Sequence, residues 1–501
     1  MQTTPGQPTQ PLSVTEAWQP LPAAEWNEAA ARHLLQRVGF SAPPDELAQA
    51  LRDGPGPTLE RYFAAMPQFP KPHLISKLER DGPELYRQIN SPDPAKKRQA
   101  GQIAQERSRE ALSDLTIKWL QLASRLQNSP GEKWLLFLQD VWVVGVEKVK
   151  NSVLLYDHQD ILREHALGSN VALAKATSRS GAMIIYLDLQ QSQQQAPNEN
   201  FARELFELFT LGEGNYTEND IKQAARAFTG YRQRQGDFFF ARNQHDAGMK
   251  TIFSQTGNFD GDGVLDLVFK QKAAGAFLPK EMVRFYLSDE PLPVELTDAL
   301  GAWWAGENYD LRKLAVKFFS SRAFFAPAYR GNFIKAPIQF YLGLAQDLNL
   351  SIAPLPRQLI GALRLMGQMP FNPPNVRGWV GGRAWINSAT LAARRQLIQA
   401  LLQPINEEAL NGDEQIDLAA AYADGVSNFT LDEKQLAEWA KLKAADRARQ
   451  LVDLCMPQLR GTELETQLAS FFERSAQHSP GPGAVREALA TLLESPQYQL
   501  C

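Results

Sequence analysis

Pro197-Asn198-Glu199-Asn200-Phe201-Ala202-Arg203-Glu204-Leu205-Phe206-Glu207-Leu208-Phe209-Thr210-Leu211-Gly212 reads as one amphipathic helix with both of its ends marked. Asn198 supplies an N-cap oxygen for a free first-turn N–H, Glu199 stands where the helix dipole favours an anion, and Gly212 suits the left-handed exit. At ~100° per residue, Phe201, Ala202, Leu205, Phe206, Leu208 and Phe209 fill one side, while Glu199, Asn200, Arg203, Glu204 and Glu207 fill the other. Such a segment buries a broad aromatic face and keeps a charged one.

The same periodicity runs outward in both directions. Ala30, His33, Leu34 and Val38 recur at three- and four-residue spacing before Gly39, and Ser41 ahead of Pro43-Pro44-Asp45 predicts a capped start for the next helix. Residues 92–126 read as one long helix whose apolar positions gather in its second half. Residues 131–144, with Trp134, Leu135, Phe137, Leu138, Val141 and Trp142, are apolar nearly all round and predict a buried helix. Only Tyr231 to Phe253 breaks the pattern, where aromatic and Thr/Ile positions around Gly236 and Gly248 predict a short β-ribbon. The fold class expected is therefore all-α, a large multi-helix assembly with a small inserted β-ribbon near residues 230–253. We divide it into a disordered tail (1–25), an N-terminal helical region (26–130), a central helical core (131–400) and a C-terminal helical region (401–501).

The composition narrows the functional classes. The 501 residues are 44% hydrophobic and 22% charged, and 52 basic against 56 acidic side chains give a net charge of −4. No global positive field exists to recruit nucleic acid or anionic lipid. Two cysteines, Cys455 and Cys501, make neither a disulfide framework nor a cysteine zinc site. The first twenty residues, rich in Gln, Thr and Pro, carry no basic and apolar signal pattern, and no stretch approaches the ~18 apolar residues of a membrane helix, so a cytoplasmic protein off the membrane is expected.

Chemistry concentrates in a few places. Glu199, Arg203 and Glu207, spaced i, i+4, i+8, form either a solvated ion-pair ladder or one wall of a cleft. In the second case a carboxyl with a raised pKa serves as general acid beside an ionised neighbour, and Glu204 belongs to the same set. His165 lies seven residues after His158 on one helix, without the HExxH spacing of a metalloprotease. His245-Asp246 falls in the ribbon loop, ahead of Gly248 and Lys250, where a His-Asp pair can be oriented for proton transfer. Asp260-Gly261-Asp262-Gly263 lacks the later ligands of a calcium loop and reads as a turn into a helix. Phe371-Asn372-Pro373-Pro374-Asn375-Val376-Arg377-Gly378-Trp379 is either a rigid plug or a binding loop in which Asn375, Arg377 and Trp379 meet a polar ring, with Asn198 and Asn200 nearby. No nucleotide-binding glycine loop and no nucleophile elbow is present, no metal set is assigned, and the sequence specifies no cofactor.

These blocks, "RHLLQRVGF" at residues 32–40, "REHALG" at 163–168, "NENFARELFELFTLG" at 198–212, His245 to Lys250, Lys335-Ala336-Pro337 and residues 366–387, resemble the bacterial family called domain of unknown function 1800. The resemblance implies a mostly helical fold without an assigned reaction. It also implies a possible protein partner, since relatives are often encoded beside another uncharacterised family that looks like exported sulfatases or phosphatases. Where relatives commonly show a Trp-His-Asn-His-Phe-like run, this chain has Leu138-Gln139-Asp140-Val141-Trp142. Two functions follow as expectations. One is a hydrolase-type enzyme with catalytic Glu199, Arg203, Glu204, Glu207, His165, His245 and Asp246, acting on a polar, carbohydrate-like substrate held by Asn198, Asn200, Asn375, Arg377 and Trp379. The other is a non-catalytic partner-binding scaffold of the same fold.

Overall fold

The structure is a computed structural model that describes residues 12–475 and 481–501. Within them, 25 α-helices and two separate two-stranded antiparallel ribbons make up the chain. The expected all-α assembly is found, and the single expected ribbon is two. Tyr231–Arg234 pairs with Asp237–Phe240, and Lys250–Ile252 pairs with Gln255–Gly257.

One continuous buried cluster extends from Ala17 to Tyr498. At its centre the helix Ser129–Val141 is buried on nearly every face, as its all-round apolar pattern requires. Its charged residues are all partnered. Glu132 receives Arg163 through two nitrogens and Trp119 Nε1 at 2.9 Å. Lys133 Nζ donates to the carbonyl of Gly39 at 2.7 Å, and burial pushes its pKa down to about 7. The helices Lys272–Tyr286 and Val294–Gly306 cross in close contact because each presents a glycine. A Cβ on Gly275 would lie 2.7 Å from the Gly301 carbonyl oxygen.

The expected tail needs correction over residues 12–25. Val14–Ala17 is helical, Ala17 and Trp18 are buried, and Trp18 Nε1 donates to Leu296 O at 2.8 Å. A tryptophan that finds both an apolar socket and an indole partner outweighs the polar composition around it. Residues 1–11 and His478 lie outside the described residues. Ser41 is not a cap either. Pro43 takes that position for the helix Pro44–Asp53, and the Ser41 hydroxyl donates to Asp347 instead.

Candidate functional site

The quoted segment is helical, but not as one regular helix. Glu199–Glu204 is α-helical, and Leu205–Thr210 continues as a π-helix in which the Phe206 carbonyl accepts from both Leu211 N (2.9 Å) and Gly212 N (3.1 Å). Widening of the turn rotates the later side chains away from a 3.6-residue wheel, and π turns of this kind gather at functional sites. Asn198 caps the helix through Asn200 N at 2.9 Å. The side-chain amides of Asn198 and Asn200 reach back to Asp188 O (3.2 Å) and Leu187 O (3.3 Å), so both asparagines bind the preceding turn.

The ladder divides. Arg203 contacts Glu199 at 3.4 Å, but its stronger pair is with Glu218 of the following helix, 2.8 Å through each of two nitrogens. Glu207 is held by Arg377 at 2.8 Å and by the Tyr216 hydroxyl at 2.9 Å. Arg203 is thus not the only cation here, since a loop far along the chain brings a second one. Arg377 also contacts Glu213 at 3.0 Å. Glu204, three residues before Glu207, is half-buried and has no ion pair or hydrogen bond from its carboxylate among the described residues. Burial and the neighbouring Glu207 charge hold its carboxyl above the usual range, against the opposing fields of Arg377 and Arg203. Tyr186 stands close enough for the Glu204 charge to help raise its phenol, behind the larger effect of burial.

The loop at residues 371–379 crosses over this region because its prolines and glycine fix it there. Val146 N donates to Phe371 O at 3.0 Å, and Pro373 approaches the Tyr186 side of Gly145. Gly378 has φ +80°, and a Cβ there would lie 2.2 Å from Asp140 Oδ1. Buried Asp140 accepts Trp379 N at 2.8 Å and pairs with Arg284 at 2.6 Å, while burial raises its pKa against that cation. Trp379 is 4% exposed, so its ring packs into the core and does not stand free for stacking. Asn375 is exposed and turns its side-chain oxygen to Arg377 N at 2.8 Å, fixing the loop.

Beneath the loop lies a part of the site that the sequence reading missed. Gln139, Trp142, His158, Gln159, Phe371 and Trp379 line a cavity with about 20 Å³ of room for water centres. Gln139 Nε2, Trp142 Nε1, Trp379 Nε1 and both amide heteroatoms of Gln159 are buried without a protein partner. His158 is satisfied on both nitrogens. Nε2 lies 2.9 Å from Trp142 O and so carries the proton, leaving Nδ1 to accept the Ser180 hydroxyl at 2.9 Å. Trp142 also packs on Phe209 of the π turn, ring centres 5.3 Å apart. The departure at residues 138–142 was the one available sign of this cavity.

The remaining candidates are held elsewhere. Asp246 is paired with Arg226 at 2.6 Å and accepts Gly248 N at 2.8 Å, and that cation is first among the causes that lower its pKa. His245 sits 3.0 Å from Thr229 O and packs on Phe240, so it does not face Asp246 as a proton-transfer pair. Lys250 Nζ closes the same loop on Asp246 O at 2.6 Å. His165 ends the helix Ser152–His165 and makes no hydrogen bond or ion pair with the carboxylates. Among the described residues, no three His, Cys, Asp or Glu side chains gather as a metal site.

A family model described as "Protein of unknown function (DUF1800)" matches residues 33–500. The chain belongs to this family. No curated protein and no solved structure matches it. In this DUF1800 chain the candidate segments form two kinds of place. The His245 to Lys250 block is self-contained, whereas the π turn, residues 138–142 and the 371–379 loop join around Glu204 and Glu207.

Proposed function

We propose that Glu204 and Glu207 form an acid–base pair for hydrolysis of a polar substrate, carbohydrates being the first class to test. The observation that carries the reading is the difference between their surroundings. Glu207 is held by Arg377 and Tyr216, while half-buried Glu204 is unpaired and holds its proton to higher pH. Two neighbouring carboxyls in unlike surroundings can divide the work, the one that keeps its proton protonating a leaving group and its cation-held neighbour serving as the base. Arg377 on the overlying loop, which already reaches Glu207, and Asn375, which fixes that loop, are the groups proposed to hold a polar substrate.

The test is turnover of a panel of nitrophenyl glycosides and esters between pH 4 and 8. Activity should fall at least ~100-fold in Glu204→Gln and in Glu207→Gln, the range of lost general acid–base catalysis. Wild-type protein inert toward the whole panel, or Glu204→Gln as active as wild type, contradicts the reading.

A second reading, a non-catalytic partner-binding protein, is favoured by one observation. Neither the cavity beneath the 371–379 loop nor the cleft beside the helix Gly412–Ala423 is lined by Glu199, Arg203, Glu204 or Glu207, and the Arg377 side chain is 60% exposed. The partner would come from the neighbouring uncharacterised family that the resemblance implies. Capture of that protein unchanged by Glu204→Gln but lost in Arg377→Glu would favour this second reading. A cytoplasmic location belongs with either reading, supported by two buried, unpaired cysteines. Among the described residues no helix is long and apolar enough to cross a membrane.

A further inference from the structure

A large cleft lies away from the Glu204 region. A cleft of about 1110 Å³ separates the second half of the helix Pro94–Ala123 from the helix Gly412–Ala423 and the segments beside it. Six carboxylates line it: Glu110, Asp114, Asp413, Glu414, Asp417 and Asp424. Three cations, Lys118, Arg125 and Arg357, line it too, six against three. Elsewhere the chain pairs its charges freely, yet none of these nine side chains forms an ion pair among the described residues. Glu414 is 7% exposed, and its Oε1 has no partner, although Oε2 takes the Asn411 amide at 2.6 Å. An unpaired buried carboxylate oxygen is costly unless something arrives to meet it. Asp114 and Asp417 approach each other from the two sides. Burial raises both carboxyls; Lys118 opposes the rise in each and His73 opposes it at Asp114, while the charge of Asp417 adds to the effect on Asp114 and those of Asp413 and Glu414 to the effect on Asp417.

We infer that this cleft binds an extended organic polycation, a ligand with at least two ammonium or guanidinium groups joined by methylene chain. The excess of negative charge selects the cationic groups, and the cleft's apolar positions, Ile117, Ile352 and Phe429, suit the methylenes between them. A lone metal ion does not fit, because among the described residues no three His, Cys, Asp or Glu side chains gather closely enough to ligate one.

The experiment is isothermal titration of the full chain with spermine and, separately, with N-acetyl-tetralysine amide, at low ionic strength (about 20 mM) where exposed charges are least screened. Maltohexaose is the neutral control. Saturable one-site binding is expected for at least one polycation, weakened at least tenfold in the Asp114→Asn/Asp417→Asn double variant and unchanged in Glu295→Gln, an exposed acid on another helix. At pH 5 binding should release protons, read from titrations in two buffers of different ionisation heat, and the double variant should release fewer. Spermine alone binding identifies a free polyamine, and tetralysine alone a basic peptide segment. The inference is overturned if neither polycation saturates, if the double variant binds as wild type does, or if only maltohexaose binds.

Discussion

At the residue scale, charges of similar type have very different weights here. Arg163 and Glu132 meet inside the core, 8% and 0% exposed, with Trp119 completing the carboxylate. Removing one partner leaves the other buried and uncompensated, so Glu132→Gln should cost roughly 3–5 kcal/mol in urea unfolding. Arg203 is 35% exposed and pairs outward with Glu218. Arg203→Ala should move Tm by about 1 °C or less, since water screens such a pair and the chain is long. A larger loss would mean that the face is shielded in solution. His158 gives the pH dependence. Burial pushes its pKa down to about 4, below the ordinary ~6.5, because the imidazole is fixed in its neutral form. As pH falls through that window the unfolded chain takes up a proton that the folded chain refuses, so the fold is destabilised by roughly 3 kcal/mol in all. Wild type should therefore lose stability between pH 6.5 and 4 more steeply than His158→Gln. Equal slopes in chemical unfolding would show that His158 is not held neutral.

At the element scale, what could be read from sequence and what could not divides on locality. The helix Ser129–Val141 was legible because burial on all faces leaves an all-round apolar pattern, and the cap at Asn198 because an N-cap acts within three residues. The change to π geometry at Leu205 was not legible. A wheel assumes a constant turn, and nothing local in Leu205 to Thr210 states that the Phe206 carbonyl will take two amides. The proline- and glycine-rich loop was recognised as either a plug or a binding loop, and it is partly each. Trp379 is the plug and Arg377 the outward hand. Its hinge is Gly378. Gly378→Ala adds left-handed backbone strain and a methyl against Asp140. We expect a loss of more than about 2 kcal/mol in urea unfolding, with weakened Arg377–Glu207 pairing. An alanine variant as stable as wild type would mean that the loop does not rest on Asp140.

At the scale of the whole molecule, the candidate site is assembled from segments far apart in the chain, held on one continuous core. Sequence spacing pointed to the carboxylates but paired them with Arg203 within their own helix. It had no means of showing that Arg377 arrives from the other side, or that Gln139, His158 and Gln159 meet beneath it, because those contacts exist only after the core closes. The same closure determines the proton affinity of Glu204. Burial and Glu207 raise it, while Arg377 lowers it. The most direct test is an NMR titration of the Glu204 side-chain carboxyl in wild type, Glu207→Gln and Arg377→Ala. The expected order is a wild-type pKa above the ordinary glutamate value of about 4.3, a lower one in Glu207→Gln and a higher one in Arg377→Ala. An ordinary value in all three proteins would contradict the account, because Glu204 would then be a solvated surface residue beyond the reach of both neighbours.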